Sequence, residues 1–401
     1  MPDHPDHPRR DDIDLLAGEF YKNDPHPAFE WMRTNAPVYW DEKGGVWGIT
    51  KHADVQLISK DSTTFCNGQG MRPDSDPTAS MINMDDPGHK RRRNLVNKGF
   101  TPRRVAEKEE ELRAITRELI AEVAPKGRCE FVMDVAAWLP MITIGDMLGV
   151  EPEDRATLLQ WSDDMLLATA TDASDATLEN AGKAFEGFIV HTQKVIADRR
   201  ARELTKDLIS VLVHSDIDGD RLNEEELIQE SLLILIGGDE TTRHVITGGL
   251  EQLLLNPDQK QKLLDDPSKI PTAVEEMLRW VSPIQNMART ATRDVELRGQ
   301  RICKGDKLLL LYPSANRDEE IFENSMRFDI ERQPNGHLAF GGYGTHFCLG
   351  ASLARLELKV MFEELLESLP DIELDTEVPA PRRPSNFVVG IETMPVRFAA
   401  R

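Results

Sequence analysis

The sequence predicts a mainly α-helical fold carrying small β-sheets, and three observations lead there. Apolar residues recur at helical spacing from 103 to about 214. Capping residues and prolines mark further helices on either side of that stretch. Residues 287–312 instead alternate like short, half-buried strands.

Along the chain, Val38-Tyr39-Trp40 and Val46-Trp47-Gly48-Ile49 flank a turn-rich stretch and predict a hairpin, with a short helix through 53–58 after it. Residues 61–82 are rich in Gly, Pro, Asp and Ser, with Met71 and Met81 among them. A loop this long in a compact fold is usually functional or mobile. Asp86-Pro87 opens a helix, with Asp86 as N-cap and Pro87 in the first turn. Pro125, Pro140 and Pro152 interrupt the helical stretch that follows. Asp216-Ile217-Asp218-Gly219-Asp220 has the look of a calcium loop, but its glycine comes too early, so a polar turn is expected. Asn223 with Glu226 reads as a capping box at the start of a long helix that ends before Pro257. Pro271 opens another helix, and Ser282-Pro283 stops it. Turns are expected at Gly299-Gln300 and Lys304-Gly305, and a helix from just after Gly350 to about Ser368, before closing strand-like segments.

No linker, repeat or low-complexity tract divides the 401 residues. One domain over 1–401 is therefore expected, β-rich at about 30–60 and helical in the remainder, with a special loop at 340–350. A formal net charge of -22 argues against nucleic acid or an anionic membrane as a general partner. Cys66, Cys129, Cys303 and Cys348 are scattered without a CxxC pair, which fits reduced thiols in the cytoplasm better than disulfides or zinc. The polar start carries neither a signal sequence nor a membrane anchor.

The most informative stretch is Phe340-Gly341-Gly342-Tyr343-Gly344-Thr345-His346-Phe347-Cys348-Leu349-Gly350, with an amphipathic helix directly after it. A cysteine at a helix N-terminus meets free N–H groups and the positive end of the dipole, which favour the thiolate. Such a thiolate, with one face open, suits the axial ligand of a haem iron; the competing reading is a buried cysteine in a glycine-rich turn. The loop resembles the cysteine-ligand loop of the cytochrome P-450 family. Gly344, His346, Cys348 and Gly350 match its spacing, while Phe340 lies one residue further from the cysteine than is commonest.

That resemblance extends to three more motifs. Ile236-Gly237-Gly238-Asp239-Glu240-Thr241-Thr242 is similar to the family's oxygen-binding groove, which implies that Glu240 and Thr241 are the acid and alcohol of proton delivery. Two mid-helix glycines cost about 1 kcal/mol each, and close approach of the cofactor to Gly237 and Gly238 would offset that; helix packing through small residues is the alternative. Glu276 and Arg279 share one helix face, and resemble the family's Glu-x-x-Arg pair, whose third partner is implied to be Arg327, with Arg332 in reserve. His89-Lys90-Arg91-Arg92-Arg93 is the sharpest basic run in an acidic chain. The resemblance assigns His89 and Arg93, with Arg289 and His346, to the haem propionates. Lys90, Arg91 and Arg92 would then face outward and steer an acidic ferredoxin.

Taken together, the resemblance implies a P-450 fold, haem b bound through Cys348 and by Phe340, Gly341 and Gly350 around it, and a monooxygenase using O2. Electrons would come from a separate ferredoxin and ferredoxin reductase. The sequence is most similar to mycobacterial-type enzymes acting on the side chain of cholesterol or cholest-4-en-3-one. Met71, Ile82, Met84, Ile234, Val281, Ile284, Met287 and Val388 are the expected pocket residues, or else ordinary core. Rival readings are oxidation of a branched fatty acid, polyketide or terpene, and a haem-thiolate sensor without turnover.

Overall fold

The computed structural model describes residues 7–169, 173–217, 219–375 and 380–401. The expected hairpin is present as β1 (Val38–Asp41) and β2 (Val46–Ile49). Further strands are β3 (Phe65–Cys66), β4 (Arg128–Glu130), β5 (Asn286–Ala291), β6 (Val295–Leu297), β7 (Gln300–Ile302), β8 (Lys307–Leu311), β9 (Glu373–Leu374) and β10 (Pro395–Arg397). The main sheet has the order β1-β2-β8-β5-β3, parallel only between β2 and β8. β8 reads as unbroken leucine because both of its faces are covered. Leu308 and Leu310 pack with Trp47 and Ile49, whereas Leu309 and Leu311 pack with Phe29 and Met32. On β5, Met287 and Arg289 pair with Leu310 and Leu308, and the strand's period of two puts both on one face. β4 lies inside the stretch read as helical; it pairs with β10, a partner supplied from the far end of the chain.

The helices form the larger apolar core, in which Leu235, Val245, Ile246, Leu250, Met277 and Phe362 are buried together. Asn223 and Glu226 do make a capping box, at 3.0 and 2.9 Å. The long helix they open is broken, however, into Glu224–Gly238 and Glu240–Leu255, with Asp239 between. Pro271 sits in the first turn of Ile270–Val281, which ends at Ser282 in the left-handed region, φ +40°. Near Pro140 the helical stretch does break, at Ala137 between the π-helical Val132–Ala136 and Trp138–Met147, and Pro140 lies in the first turn of the new helix, where its missing N–H costs little. The helix after Asp86-Pro87 spans Gly88–Val96, one residue later than expected, and Asp86 Oδ1 accepts the Lys90 N–H at 3.1 Å. The polar turn near 216 is confirmed by Gly219 N–H bonding Asp216 Oδ1 at 2.7 Å; Asp218 lies outside the described residues. Among the described residues no His/Cys/Asp/Glu cluster could hold a metal, and no helix is long and apolar enough to cross a membrane.

Candidate active site

The cysteine loop is shaped by the helix His52–Lys60 beneath it. Gly342 and Gly344 lie so close to Ser59 that a Cβ at either would overlap it. The close approach made by these glycines is therefore to protein. Gly341 turns the chain at φ +95°, and the Cys348 N–H closes the loop onto the Phe340 carbonyl at 3.0 Å. Helix Ala351–Ser368 begins directly beyond, so the Gly350 and Ala351 N–H groups meet the Cys348 sulfur. Burial pushes the Cys348 thiol up, opposed by those N–H groups and by Arg93 and Arg355. The residue's exposed surface opens into an internal cavity, not to bulk water. Arg355 braces the loop: its guanidinium lies 4.6 Å from the Phe340 ring centroid and bonds both Glu275 oxygens, at 2.7 and 2.9 Å. Against the penalty of burial, His337 and Arg355 hold Glu275 down to about 2.

The cavity, about 260 Å³, is lined by Phe340, Gly341, Cys348 and Gly350 on one side. His89 and Arg93 of helix Gly88–Val96, Arg289 of β5 and His346 of the cysteine loop converge on it from three segments of chain. The His89 and His346 rings stack at 4.0 Å. Burial, with His89, Arg289 and Arg93 nearby, pushes His346 down to about 3. Burial also lowers His89, although Asp86 opposes it, and His89 Nε2 has no hydrogen-bond partner. Among the described residues, buried Arg289 makes a single side-chain hydrogen bond, to the Ala288 carbonyl at 2.8 Å, and Arg93 bonds only the Phe347 carbonyl. Buried cations without carboxylates are costly. An anionic group in the cavity would satisfy all of them at once.

On the opposite wall, Thr241 Oγ1 donates to the Gly237 carbonyl at 2.8 Å. Gly237 faces open space, as a bound planar group would require, whereas Gly238 is small because Ile144 presses on it. Thr241 and Thr242 line the cavity. Glu240 does not. It is fully buried behind the wall, bonded to Arg243 and Arg383, with Oε2 unpartnered.

Of the expected apolar pocket, Met71, Ile82, Ile234, Ile284, Met287 and Val388 line the cavity. Met84 and Val281 are outside its lining. Met84 meets His346 through its main chain, and Val281 packs over Gly248. Phe100, Tyr312, Glu357 and Phe387 are among the further wall residues that were not anticipated. Phe387 and Val388 belong to a segment with no periodic signal, fixed by Gln285 N–H to Phe387 O at 2.8 Å and Val389 N–H to Pro283 O at 2.9 Å.

Two charge assignments are corrected. Glu276 and Arg279 are buried and paired at 2.7 Å, but the third arginine is Arg332, at 3.1 Å from Glu276 Oε2. Arg327 is exposed, and only its carbonyl turns inward, accepting from Arg279 and Arg332. Arg91 and Arg92 are not free surface cations either. Arg91 bonds Asp220 and Glu226, and Arg92, itself buried, bonds Glu226 and Glu230. They clamp one helix to another, so they do not form the basic docking patch expected of them.

The sequence model of the family described as Cytochrome P450 matches residues 165–397. The chain is 49% identical over 390 residues to a steroid C26-monooxygenase of Mycobacterium tuberculosis, covering 96% of this chain and 97% of that protein. It is 36% identical to a methyl-branched lipid omega-hydroxylase of the same species, covering 97% and 95%. Among solved structures, Mycobacterium marinum CYP268A2 in complex with pseudoionone superposes with a TM-score of 0.89 at 34% identity, over 98% of this chain and 99% of that one. CYP109E1 from Bacillus megaterium in complex with testosterone gives 0.85 at 34% identity, over 93% and 99%. With a glycine-cradled cysteine, four converging basic side chains and a kinked helix around one apolar cavity, the chain belongs to the cytochrome P450 family of haem-thiolate monooxygenases.

Proposed function

We propose that this chain hydroxylates the terminal methyl of a sterol side chain, as in cholesterol or cholest-4-en-3-one, with electrons from a separate ferredoxin and its reductase. The observation that carries this reading is the 49% identity, over nearly the whole chain, to a steroid C26-monooxygenase, joined to an apolar cavity at Cys348. The haem fits the residues present: the Cys348 sulfur opens to the cavity, Gly237 faces open space, and among the described residues His89 Nε2 has no hydrogen-bond partner and Arg289 bonds the Ala288 carbonyl but no carboxylate, which two propionates would supply. Cys348 would hold the iron, and His89, Arg93, Arg289 and His346 the propionates. When bound, the haem supplies activation of O2 for insertion into a C–H bond. Thr241 holds a hydroxyl on the cavity wall, where it can pass a proton. Met71, Ile82, Ile234, Ile284, Met287 and Val388 exclude water and orient the alkyl chain. Glu240 would take part only if its links to Arg243 and Arg383 loosen.

The test is a substrate-induced spectral titration with cholest-4-en-3-one, followed by product analysis after ferredoxin-supported turnover. A terminal alcohol or acid is the expected product. A second reading, terminal hydroxylation of a methyl-branched lipid, is favoured by the 36% identical omega-hydroxylase; tighter binding and faster turnover of a branched fatty acid would select it.

A further inference from the structure

Beyond the four basic side chains, the sheet side of the cavity carries a phenol. Tyr312 lines the cavity and is 4% exposed. It follows directly on β8, at the start of the short helix Tyr312–Ala315. Leu308 of β8 pairs with Arg289 of β5 and Leu310 with Met287, and the Tyr312 N–H reaches the Gln285 carbonyl at 3.2 Å. The strand's period of two carries Tyr312 to the face of Leu308 and Leu310, and all three pack in one cluster. Met287 and Arg289 stand on that same face of the neighbouring strand.

Among the described residues, the Tyr312 hydroxyl makes no hydrogen bond, and Arg289 is the one charged group that acts on it. Burial pushes the phenol up from its ordinary value, with Arg289 opposing this. Burial in turn lowers Arg289, and Tyr312 opposes that more than Asp85 or Cys66 does. Asp85 is committed elsewhere, since its carboxylate accepts the Asn67 and Gly68 N–H groups at 2.7 and 3.0 Å. A phenol that stays protonated is a hydrogen-bond donor. Here it adjoins a buried guanidinium that also lacks a carboxylate, and a neutral donor beside a cation suits an oxyanion. An alkyl chain supplies no acceptor to either group.

We infer that Tyr312 is a cofactor-binding residue, whose hydroxyl donates to the haem propionate that Arg289 holds. The basic groups already divide by their place in the fold. His89 and Arg93 share one helix and His346 stacks on His89, whereas Arg289 lies on the sheet beside Tyr312. Each set serves one carboxylate. On the sheet side one cation and one neutral donor share the load, so the phenol draws negative charge from the propionate. The inference rests on the haem-thiolate reading of the site.

The test compares the full-length, haem-loaded protein with its Tyr312→Phe variant, which keeps the ring and its packing among Leu308, Leu310 and Leu338. Transfer of haem to excess apomyoglobin should quicken on the order of tenfold, the worth of one charge-assisted hydrogen bond. The propionate bending band in the resonance Raman spectrum should fall in frequency. The haem midpoint potential should become more negative, because the propionate keeps more of its charge. The ferrous–CO band and the spectral shift induced by cholest-4-en-3-one should stay in place. The inference is overturned if the transfer rate and the propionate band both match wild type. It is equally overturned if the substrate-induced shift weakens while both haem readouts hold, since the hydroxyl then serves the substrate. Failure of the haem-thiolate reading would show separately, as a wild-type protein without the long-wavelength ferrous–CO band.

Discussion

Thr241 Oγ1 donates its hydrogen bond to the Gly237 carbonyl across the break that separates Glu224–Gly238 from Glu240–Leu255. A threonine bonding four residues back bends a helix and fixes its own hydroxyl. Here that fixes the hydroxyl on the cavity wall while Glu240, its neighbour, points away to Arg243 and Arg383. Thr241→Ala should leave haem content and the substrate-induced spectral shift near wild type, but divert reducing equivalents to peroxide. Thr241→Ser should restore part of the coupling. Equal product yield from all three proteins would remove Thr241 from the proton path.

Cys348 is the expected iron ligand, and its test is spectroscopic. The long-wavelength Soret band of the ferrous–CO complex requires a thiolate opposite CO. Cys348→Ala should abolish it, and Cys348→Ser should shift it to shorter wavelength. Retention of the wild-type spectrum in either variant would overturn the assignment.

The exchange of Arg327 for Arg332 predicts a stability difference. Arg332 is nearly buried against Glu276, so Arg332→Ala removes a charged hydrogen bond and should cost about 1–3 kcal/mol in chemical denaturation. Arg279→Ala leaves Glu276 facing an emptied site, at a cost of about 3–5 kcal/mol. Arg327→Ala should fall within about 0.5 kcal/mol of wild type, as for most surface changes. A larger loss at Arg327 than at Arg332 would contradict the network described.

What the sequence made legible was local. The cysteine loop, its following helix, the capping box at Asn223 and the strands of 287–312 each carry their signal within a few residues. Arg327 and Arg332 are five residues apart, and only the fold decides which side chain turns in. The direction of Glu240 depends on arginines brought from Arg243 and the distant Arg383. Glu357 stands between Leu356 and Leu358 in an amphipathic helix, where nothing local marks a buried acid. The basic run misled for the same reason: the carboxylates that neutralise Arg91 and Arg92 come from Asp220, Glu226 and Glu230, more than a hundred residues on.

The last prediction concerns regiochemistry. A terminal methyl is a harder C–H to oxidise than its neighbours, so its selection requires narrow walls beside the reaction centre. Ile284 and Val388 can provide them, because an isolated β-bridge holds these two residues side by side, and both line the cavity. Burying an eight-carbon side chain there contributes roughly 6 kcal/mol at ~0.8 per methylene, less the cost of ordering it. Pregnenolone, which lacks most of that chain, should therefore bind far more weakly than cholest-4-en-3-one. Ile284→Ala and Val388→Ala each widen the wall without touching Cys348 or Thr241. Each should shift product from the terminal carbon towards inner carbons of the side chain, while the ferrous–CO spectrum stays unchanged. Mass-spectrometric product ratios measure this directly. If both variants keep pure terminal hydroxylation, or if pregnenolone binds as tightly as cholest-4-en-3-one, the walls that set the position lie elsewhere and the side chain is not what enters first.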